Sequence, residues 1–397
     1  MIKKYRNLKR PVLIVGIVAV SFLLLFKFGI LSLGSRFDSQ TQKNNGAETA
    51  TMAESVEIKN IKATSDLKEQ GKLYKQLIER AGPGEAQEAL FRSGLPFTGQ
   101  THLLNHVVGD YLYEKFGPKG LVQCKDYFLS SCYHGFILHA IADGGMPKVA
   151  ESFNECRKFG PAIFSQCAHA IGHGFLTNAG YKNLVEALET CDTAAATMPE
   201  FPAFNCYDGV FMENIWAVHD GEPSPERWVK ENDIQYPCND KRIDEKYILG
   251  CWSNQPSLAY QLFSREGGQD PIKRTGSELC AKVKKPEFEQ MCFDGLSRQI
   301  HPLTEGKAEK TLELCSLMPS QKWNNYCVSV NAGASYAVGD HSVPFEICAK
   351  IGESGKEECY GRVFSNMRAY VKPNENLKAL CAKVSEPTWR SKCESSF

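Results

Sequence analysis

Histidines dominate the residues of this sequence that could do chemistry. Six of the nine histidines fall within a stretch of 72 residues. Two pairs among them are spaced i, i+4, which on a helix places both imidazoles on one face, one turn apart. Two imidazoles in that arrangement can bind a single metal ion. The six histidines are His102, His106, His134, His139, His169 and His173.

The spacing of these histidines from nearby cysteines predicts that several lie side by side. His134 and His169 each stand two residues after a cysteine, and Asp208 has the same place after Cys206. Equivalent positions of stacked repeats line up along one surface, so we expect a row of histidine and carboxylate groups. The predicted metal ligands are His102, His106, His134, His169, His173 and Asp208.

Three further residues are secondary candidates for the same site: His139, Glu213 and His219. His139 and Glu213 lie five residues beyond His134 and Asp208. Five residues correspond to about 140° around a helix, so a site on a single helix face would not include them.

Imidazole and carboxylate ligands suit zinc, copper or non-haem iron. The alternative is structural, since a polar residue at a fixed repeat position can simply bond a neighbouring helix end or a backbone carbonyl. No catalytic residue is indicated, because the G-x-S-x-G and H-E-x-x-H motifs are absent.

Sixteen cysteines, an even number with none before residue 124, favour an exported and oxidised protein. No C-x-x-C occurs, which argues against zinc ribbons, thioredoxin-like sites and c-type haem attachment. Disulfides are predicted between neighbours in sequence: Cys124 with Cys132, Cys156 with Cys167, Cys191 with Cys206, Cys238 with Cys251, Cys280 with Cys292, Cys315 with Cys327, Cys348 with Cys359, and Cys381 with Cys393.

The cysteine pairs repeat every 32–47 residues, which is typical of stacked helical units. We expect the first cysteine in the last turn of one helix and the second in the first turn of the next. Gly135, Gly209 and Gly295, each three residues after a second cysteine, would let neighbouring helices approach closely. The predicted fold is all-α, an array of disulfide-linked helical hairpins similar in architecture to TPR or Sel1-like α-solenoids.

Two sequence blocks carry a resemblance to a family of exported bacterial proteins. The blocks are CAHAIGHGF (167–175) and CYDGVFMENI (206–215). They resemble that family's H-G-x-G-H-G-like and G-V-F-M-E-N-like motifs, with Ala170 where the first motif has glycine. The resemblance covers about residues 130–220 and implies a bacterial, exported protein without implying any activity.

The N-terminal region predicts how the protein is placed in the cell. Residues 1–11 form a basic cytoplasmic tail, and the apolar residues 12–34 are long enough for a transmembrane anchor. Residues 35–65 are predicted to be a flexible linker and residues 66–397 an extracytoplasmic repeat domain. The alternative is a cleaved signal peptide and a secreted body.

The charge of the body excludes one class of partner. Beyond residue 34 the chain has 40 basic and 46 acidic residues, a net charge of −6, which argues against nucleic acid. The expected function is a binding scaffold on the membrane for a cell-envelope protein or peptide. The alternative is a metal-binding protein or metalloenzyme that uses the histidine-rich repeats.

Overall fold

Helices are the only regular secondary structure in the described part of the chain. The computed structural model describes residues 55–95, 99–128, 130–216, 224–304, 306–337, 341–370 and 376–397. Within these ranges there is no β-strand, which confirms the all-α fold class. No helix in them has the length and apolarity needed to cross a bilayer. The predicted tail and transmembrane anchor, residues 1–34, lie outside the described residues.

The α-helices vary from single turns to long rods. In chain order they are α1 (Val56–Ala63), α2 (Leu67–Ala81), α3 (Pro83–Arg92), α4 (Gly99–Phe116), α5 (Ser131–Cys156), α6 (Pro161–Ala179), α7 (Leu184–Thr197), α8 (Ala203–Trp216), α9 (Ile248–Glu266), α10 (Pro271–Arg274), α11 (Pro286–Ile300), α12 (Ala308–Cys315), α13 (Gln321–Ala337), α14 (Val343–Lys350), α15 (Glu353–Ala369), α16 (Leu377–Cys381) and α17 (Pro387–Ser396).

One row of parallel helices runs along the array. The row consists of α4, the first half of α5, α6, α8, α9, α11, α13 and α15. Contacts between α11 and α13 show the direction: Tyr326 donates to Asp294 at 2.9 Å, and Asn331 donates to the Ser297 carbonyl at 3.0 Å. Residue numbers rise together along both helices, so the two run parallel. The segments between row helices return the chain to the start of the next row helix.

The eight predicted disulfides are all present, which confirms the pairing of each cysteine with its neighbour in sequence. Their Cα–Cα distances lie between 5.4 and 6.5 Å. The bonds join Cys124 to Cys132, Cys156 to Cys167, Cys191 to Cys206, Cys238 to Cys251, Cys280 to Cys292, Cys315 to Cys327, Cys348 to Cys359, and Cys381 to Cys393.

The predicted place of the second cysteine, in the first turn of its helix, is right for only three of the eight: Cys132, Cys206 and Cys251. The other five lie one turn deeper, at the seventh residue of their helices. In α6, α11 and α17 a proline at the first helical position starts the helix a turn earlier than predicted. The five deeper cysteines are Cys167, Cys292, Cys327, Cys359 and Cys393.

The first cysteine lies in the last turn of a helix, as predicted, in four of the eight pairs: Cys156, Cys315, Cys348 and Cys381. Cys191 instead lies in the middle of α7, because the alanines at 194–196 favour continuation of the helix. The remaining three lie in or beside 3₁₀ helices and turns rather than in α-helices. These are Cys124, Cys238 and Cys280.

Helix α5 contains a complete hairpin. Gly144 and Gly145 have non-helical backbone angles, and Gly145 has a φ of 58° that favours glycine. The chain bends there, so the residues before the bend belong to the row. The residues after the bend return toward Cys156, which bonds Cys167 in α6.

Glycines set the spacing of the row helices, as the sequence predicted. A Cβ atom on Gly135 would lie 2.4 Å from the His106 carbonyl oxygen, and one on Gly209 would lie 2.0 Å from that of His169. A Cβ on Gly295 would meet the carbonyl oxygen of a serine in α9 at 2.1 Å. The backbones of α4 and α5, and of α6 and α8, are therefore in direct contact where the histidines lie.

The folded body begins earlier than predicted. Helix α1 lies within residues 35–65, the predicted linker, and is capped by Ser55, whose side chain accepts from the Ile58 N–H at 3.2 Å. Ile58 and Ile61 are buried and join the core that continues to Cys393. Two apolar residues, one turn apart, are enough to dock a short helix whose other positions are polar.

Candidate metal centre

Five imidazoles from three neighbouring helices form one cluster, which we call the histidine cluster. His102 and His106 come from α4, His134 from α5, and His169 and His173 from α6. The ring centroids of the two i, i+4 pairs are 4.8 and 4.7 Å apart. The His134 ring lies between the pairs, 5.1 Å from His102 and 5.4 Å from His173. Four of the five residues are buried, and His102 is half-buried.

Asp208, on α8, holds the ring of His169 in place. Nδ1 of His169 is 3.1 Å from Oδ2 of Asp208. The side chains of Ser253 and Asn254 donate to the other carboxylate oxygen, Oδ1. Burial raises the pKa of the Asp208 carboxyl, but the hydrogen bond from His169 and the charge of Arg298 outweigh burial and hold that pKa far below its usual range. Asp208 is therefore an ionised acceptor.

Glu213 has the same role for His173. Nδ1 of His173 is 2.8 Å from Oε2 of Glu213, which is fully buried. The hydroxyl of Tyr181 donates to Oε1 at 2.5 Å. Hydrogen bonds from a metal-binding histidine to a carboxylate are typical of metal sites, where they fix the tautomer and orient the ring.

These bonds assign the protons of His169 and His173. With both carboxyl groups ionised they can only accept, so each Nδ1 then carries hydrogen and each Nε2 of a neutral imidazole has a lone pair. The two Nε2 atoms are 3.0 Å apart. Two lone pairs at that distance repel each other unless a proton or a metal cation lies between them. The pair is thus prepared for a positive charge.

A third imidazole lone pair belongs to His134. Nδ1 of His102 donates to the Phe128 carbonyl at 2.8 Å, which leaves Nε2 of His102 as an acceptor. Nδ1 of His134, 3.2 Å from that Nε2, therefore carries hydrogen. Nε2 of His134 then has a lone pair, and this atom is buried without a hydrogen bond to any residue that the structure describes.

His134 is neutral. Burial, followed by the nearby imidazoles of His102, His173, His169 and His106, lowers the pKa of His134 well below its usual range. Neutral imidazole is the form that binds metal ions. The ligand atoms of His102, His106 and His134 also lie within 4.8 Å of one another.

The structure brings the six predicted ligands together, and of the three secondary candidates it places Glu213 beside them. The helix-angle argument against Glu213 is wrong because Glu213 reaches His173 on the neighbouring helix α6 and need not share one face of α8 with Asp208. His139 is apart from the cluster: its Nδ1 is 3.6 Å from Asp110, whose hydrogen bond raises the pKa of His139. His219 lies outside the described residues. Asp208 supports a ligand rather than facing the imidazole lone pairs.

Some supporting residues were not predicted. Ser253 occupies the position two residues after a second cysteine, as His134, His169 and Asp208 do, so the repeat spacing could have identified it. Tyr181 lies in the connection after α6, where no sequence pattern marks it as a partner of a carboxylate on α8.

No protein-family model, curated protein or solved structure matches this chain. The resemblance to exported bacterial proteins stays a prediction, and the functional argument depends on the geometry of the site itself.

Proposed function

We propose that this protein binds a transition-metal ion through Nε2 of His134, His169 and His173, outside the cytoplasm and anchored to the membrane by residues 12–34. The observation that carries the proposal is the 3.0 Å contact between two Nε2 atoms whose Nδ1 atoms are both bonded to carboxylates. A metal ion that accepts both lone pairs as ligands relieves the repulsion between them.

The distances suit such an ion. Tetrahedral zinc at about 2.0–2.1 Å from two nitrogens separates them by roughly 3.4 Å. The pair at 3.0 Å therefore needs only a small opening. The His134 ring is 5.4 and 5.8 Å from the rings of His173 and His169, close enough for a third bond after modest side-chain rotation.

The donor set limits the choice of metal. All sixteen cysteines are in disulfides, so thiolate ligands are not available, and three neutral imidazoles suit zinc, copper or non-haem iron. Asp208 and Glu213 supply two negative charges that offset a divalent ion. The competing account is a purely structural network in which His169 and His173 share one proton.

Elemental analysis of the full-length protein, purified in detergent, separates these accounts. We expect at least one equivalent of transition metal per chain and its loss in His169→Ala. His139→Ala is the matched control, because it removes a histidine from α5, the helix that carries His134, at a position whose side chain pairs with Asp110 and not with the cluster. No stoichiometric metal in the wild-type protein, or full metal in His169→Ala, would refute the proposal.

The binding-scaffold function also stays a proposal. The array offers an extended surface of the kind that repeat proteins use for contact, and a cell-envelope protein or peptide is the expected partner. A pull-down with the full-length protein that captures no specific partner would count against it.

A further inference from the structure

We infer that the centre is dinuclear, with a second metal position formed by His102, His106 and Nδ1 of His134, and that His134 bridges the two ions as an imidazolate. This inference rests on the proposed metal-binding function and deepens it.

The histidine cluster has two matching halves around His134. One half is the pair His102 and His106 on α4, and the other is the pair His169 and His173 on α6. Each pair is spaced one helical turn apart and presents imidazoles toward the same central ring. Together with His134, the first half offers three ligand atoms that lie within 4.8 Å of one another.

His134 can serve both halves because its two ring nitrogens have different neighbours. Nδ1 faces Nε2 of His102 at 3.2 Å. Nε2 is buried and makes no hydrogen bond within the described chain. In the apo protein a single hydrogen on Nδ1 occupies the space between His134 and His102. A metal ion in that space would bond both nitrogens.

The bridge forms by exchange of a proton for a metal ion. The N–H bond at Nδ1 of His134 breaks, the proton leaves to solvent past half-buried His102, and the ring becomes an imidazolate with a metal–nitrogen bond at each end. Two divalent cations then face three negative charges, from the imidazolate, Asp208 and Glu213. No oxidant or reductant is needed.

The two proposed metal positions differ in how closely their ligand atoms already match the geometry of a bound ion. His169 and His173 are already held by carboxylates and their Nε2 atoms are 3.0 Å apart. In the other half the ligand atoms spread to 4.8 Å, and must approach to roughly 3.4 Å around a tetrahedral ion. We therefore expect the first ion beside α6 and the second, with weaker binding, beside α4.

Copper(II) titration of chelator-stripped, full-length protein tests the inference. We expect two equivalents per chain bound in two steps. The electron paramagnetic resonance signal should grow with the first equivalent and fall with the second, because an imidazolate bridge couples the two unpaired spins.

Variants separate the two positions. His102→Ala and the milder His102→Gln should each bind one equivalent and keep the full one-spin signal, whereas the control His139→Ala should bind two. Circular dichroism verifies that each variant is folded.

The possible failures are distinguishable. No bound copper overturns both the metal function and the second position. One equivalent in the wild-type protein overturns only the dinuclear inference, and so does a second equivalent retained by both His102 variants. Two equivalents with the full signal of two independent spins overturn the bridging role of His134.

Discussion

The contact between α6 and α8 gives the sharpest test of how the fold builds the site. In Gly209→Ala, the new Cβ would lie 2.0 Å from the His169 carbonyl oxygen and 3.2 Å from the His173 amide nitrogen. A Cβ atom essentially never approaches closer than 3.0 Å, so the helices must separate by about 1 Å. Both atoms that block the new methyl group are backbone atoms, which cannot rotate away.

The expected cost follows from two effects. Overpacking a close contact costs about 1–3 kcal/mol. Separating the helices also weakens the hydrogen bonds from His169 and His173 to Asp208 and Glu213, each worth about 1.5–3 kcal/mol. The better helix propensity of alanine returns about 1 kcal/mol. We expect the local opening free energy of α6 and α8 to fall by roughly 2–4 kcal/mol.

Amide hydrogen exchange measured on peptides from α6 and α8 reads out this local loss. Gly361→Ala is the matched control, since Gly361 lies inside α15, is exposed, and has open space where its Cβ would stand. It should stabilise its helix by about 0.5–1 kcal/mol. The close-contact reasoning would be refuted if α6 and α8 of Gly209→Ala exchanged their amide hydrogens at the wild-type rate while the control behaved as expected.

Two further predictions concern charge. Glu213→Gln keeps the shape that supports His173 but removes the charge, so metal affinity measured by chelator competition should fall about 10–100-fold, while the control Glu357→Gln, at an exposed position, should not change it. Burial, partly offset by a bond with Asn331, lowers the pKa of His301 below 6.5. The unfolded chain therefore binds more protons in acid, and the stability contributed by His301 is present above pH 6.5 and lost below it. The free energy of unfolding should fall more steeply on acidification for the wild-type protein than for His301→Gln, and parallel curves would contradict this.

The repeat pattern of the sequence predicts the fold well because each disulfide joins nearest neighbours. Short sequence separation leaves few alternatives, and a cysteine that recurs with a fixed period marks the same contact in every hairpin. The same register predicts that His134, His169 and Asp208 form a row, since parallel helices put equivalent residues side by side. Both predictions use only local spacing and are confirmed.

Helix boundaries around the cysteines are harder to predict than the pairing. Cys327 and Cys359 lie a turn deeper than expected, while Cys132 and Cys251 lie in the first turn. A disulfide needs only that two Cα atoms come within range, and it leaves open how many residues of each helix precede the bond. Capping residues and prolines decide that number separately in each repeat.

The place of Glu213 could not be predicted from one helix. Gly209 marks the line where α8 touches α6. Asp208 lies about 100° to one side of that line and Glu213 about 40° to the other. Both side chains can therefore reach α6, although they are far apart around α8. Knowing this requires the position of the helix contact, which depends on the packing of two helices.

The carbonyl of Phe128 shows a second limit. It accepts from His102 and so fixes the tautomer of His102, from which the proton position of His134 follows. A backbone carbonyl has no sequence signature, and its direction depends on the connection before α5.

The docking of α1 could not be predicted from the sequence either. Its segment is mostly polar and gives little indication that two isoleucines are buried in the core.

The short span of every disulfide has a consequence for biosynthesis. No two bonded cysteines are more than 15 residues apart. If the body is exported into an oxidising space as proposed, each cysteine meets its correct partner before the next pair in the sequence has arrived. Each disulfide can then form as soon as its hairpin has been exported, so a free thiol rarely encounters a wrong partner. Such a chain should mature with little help from enzymes that reshuffle mispaired bonds.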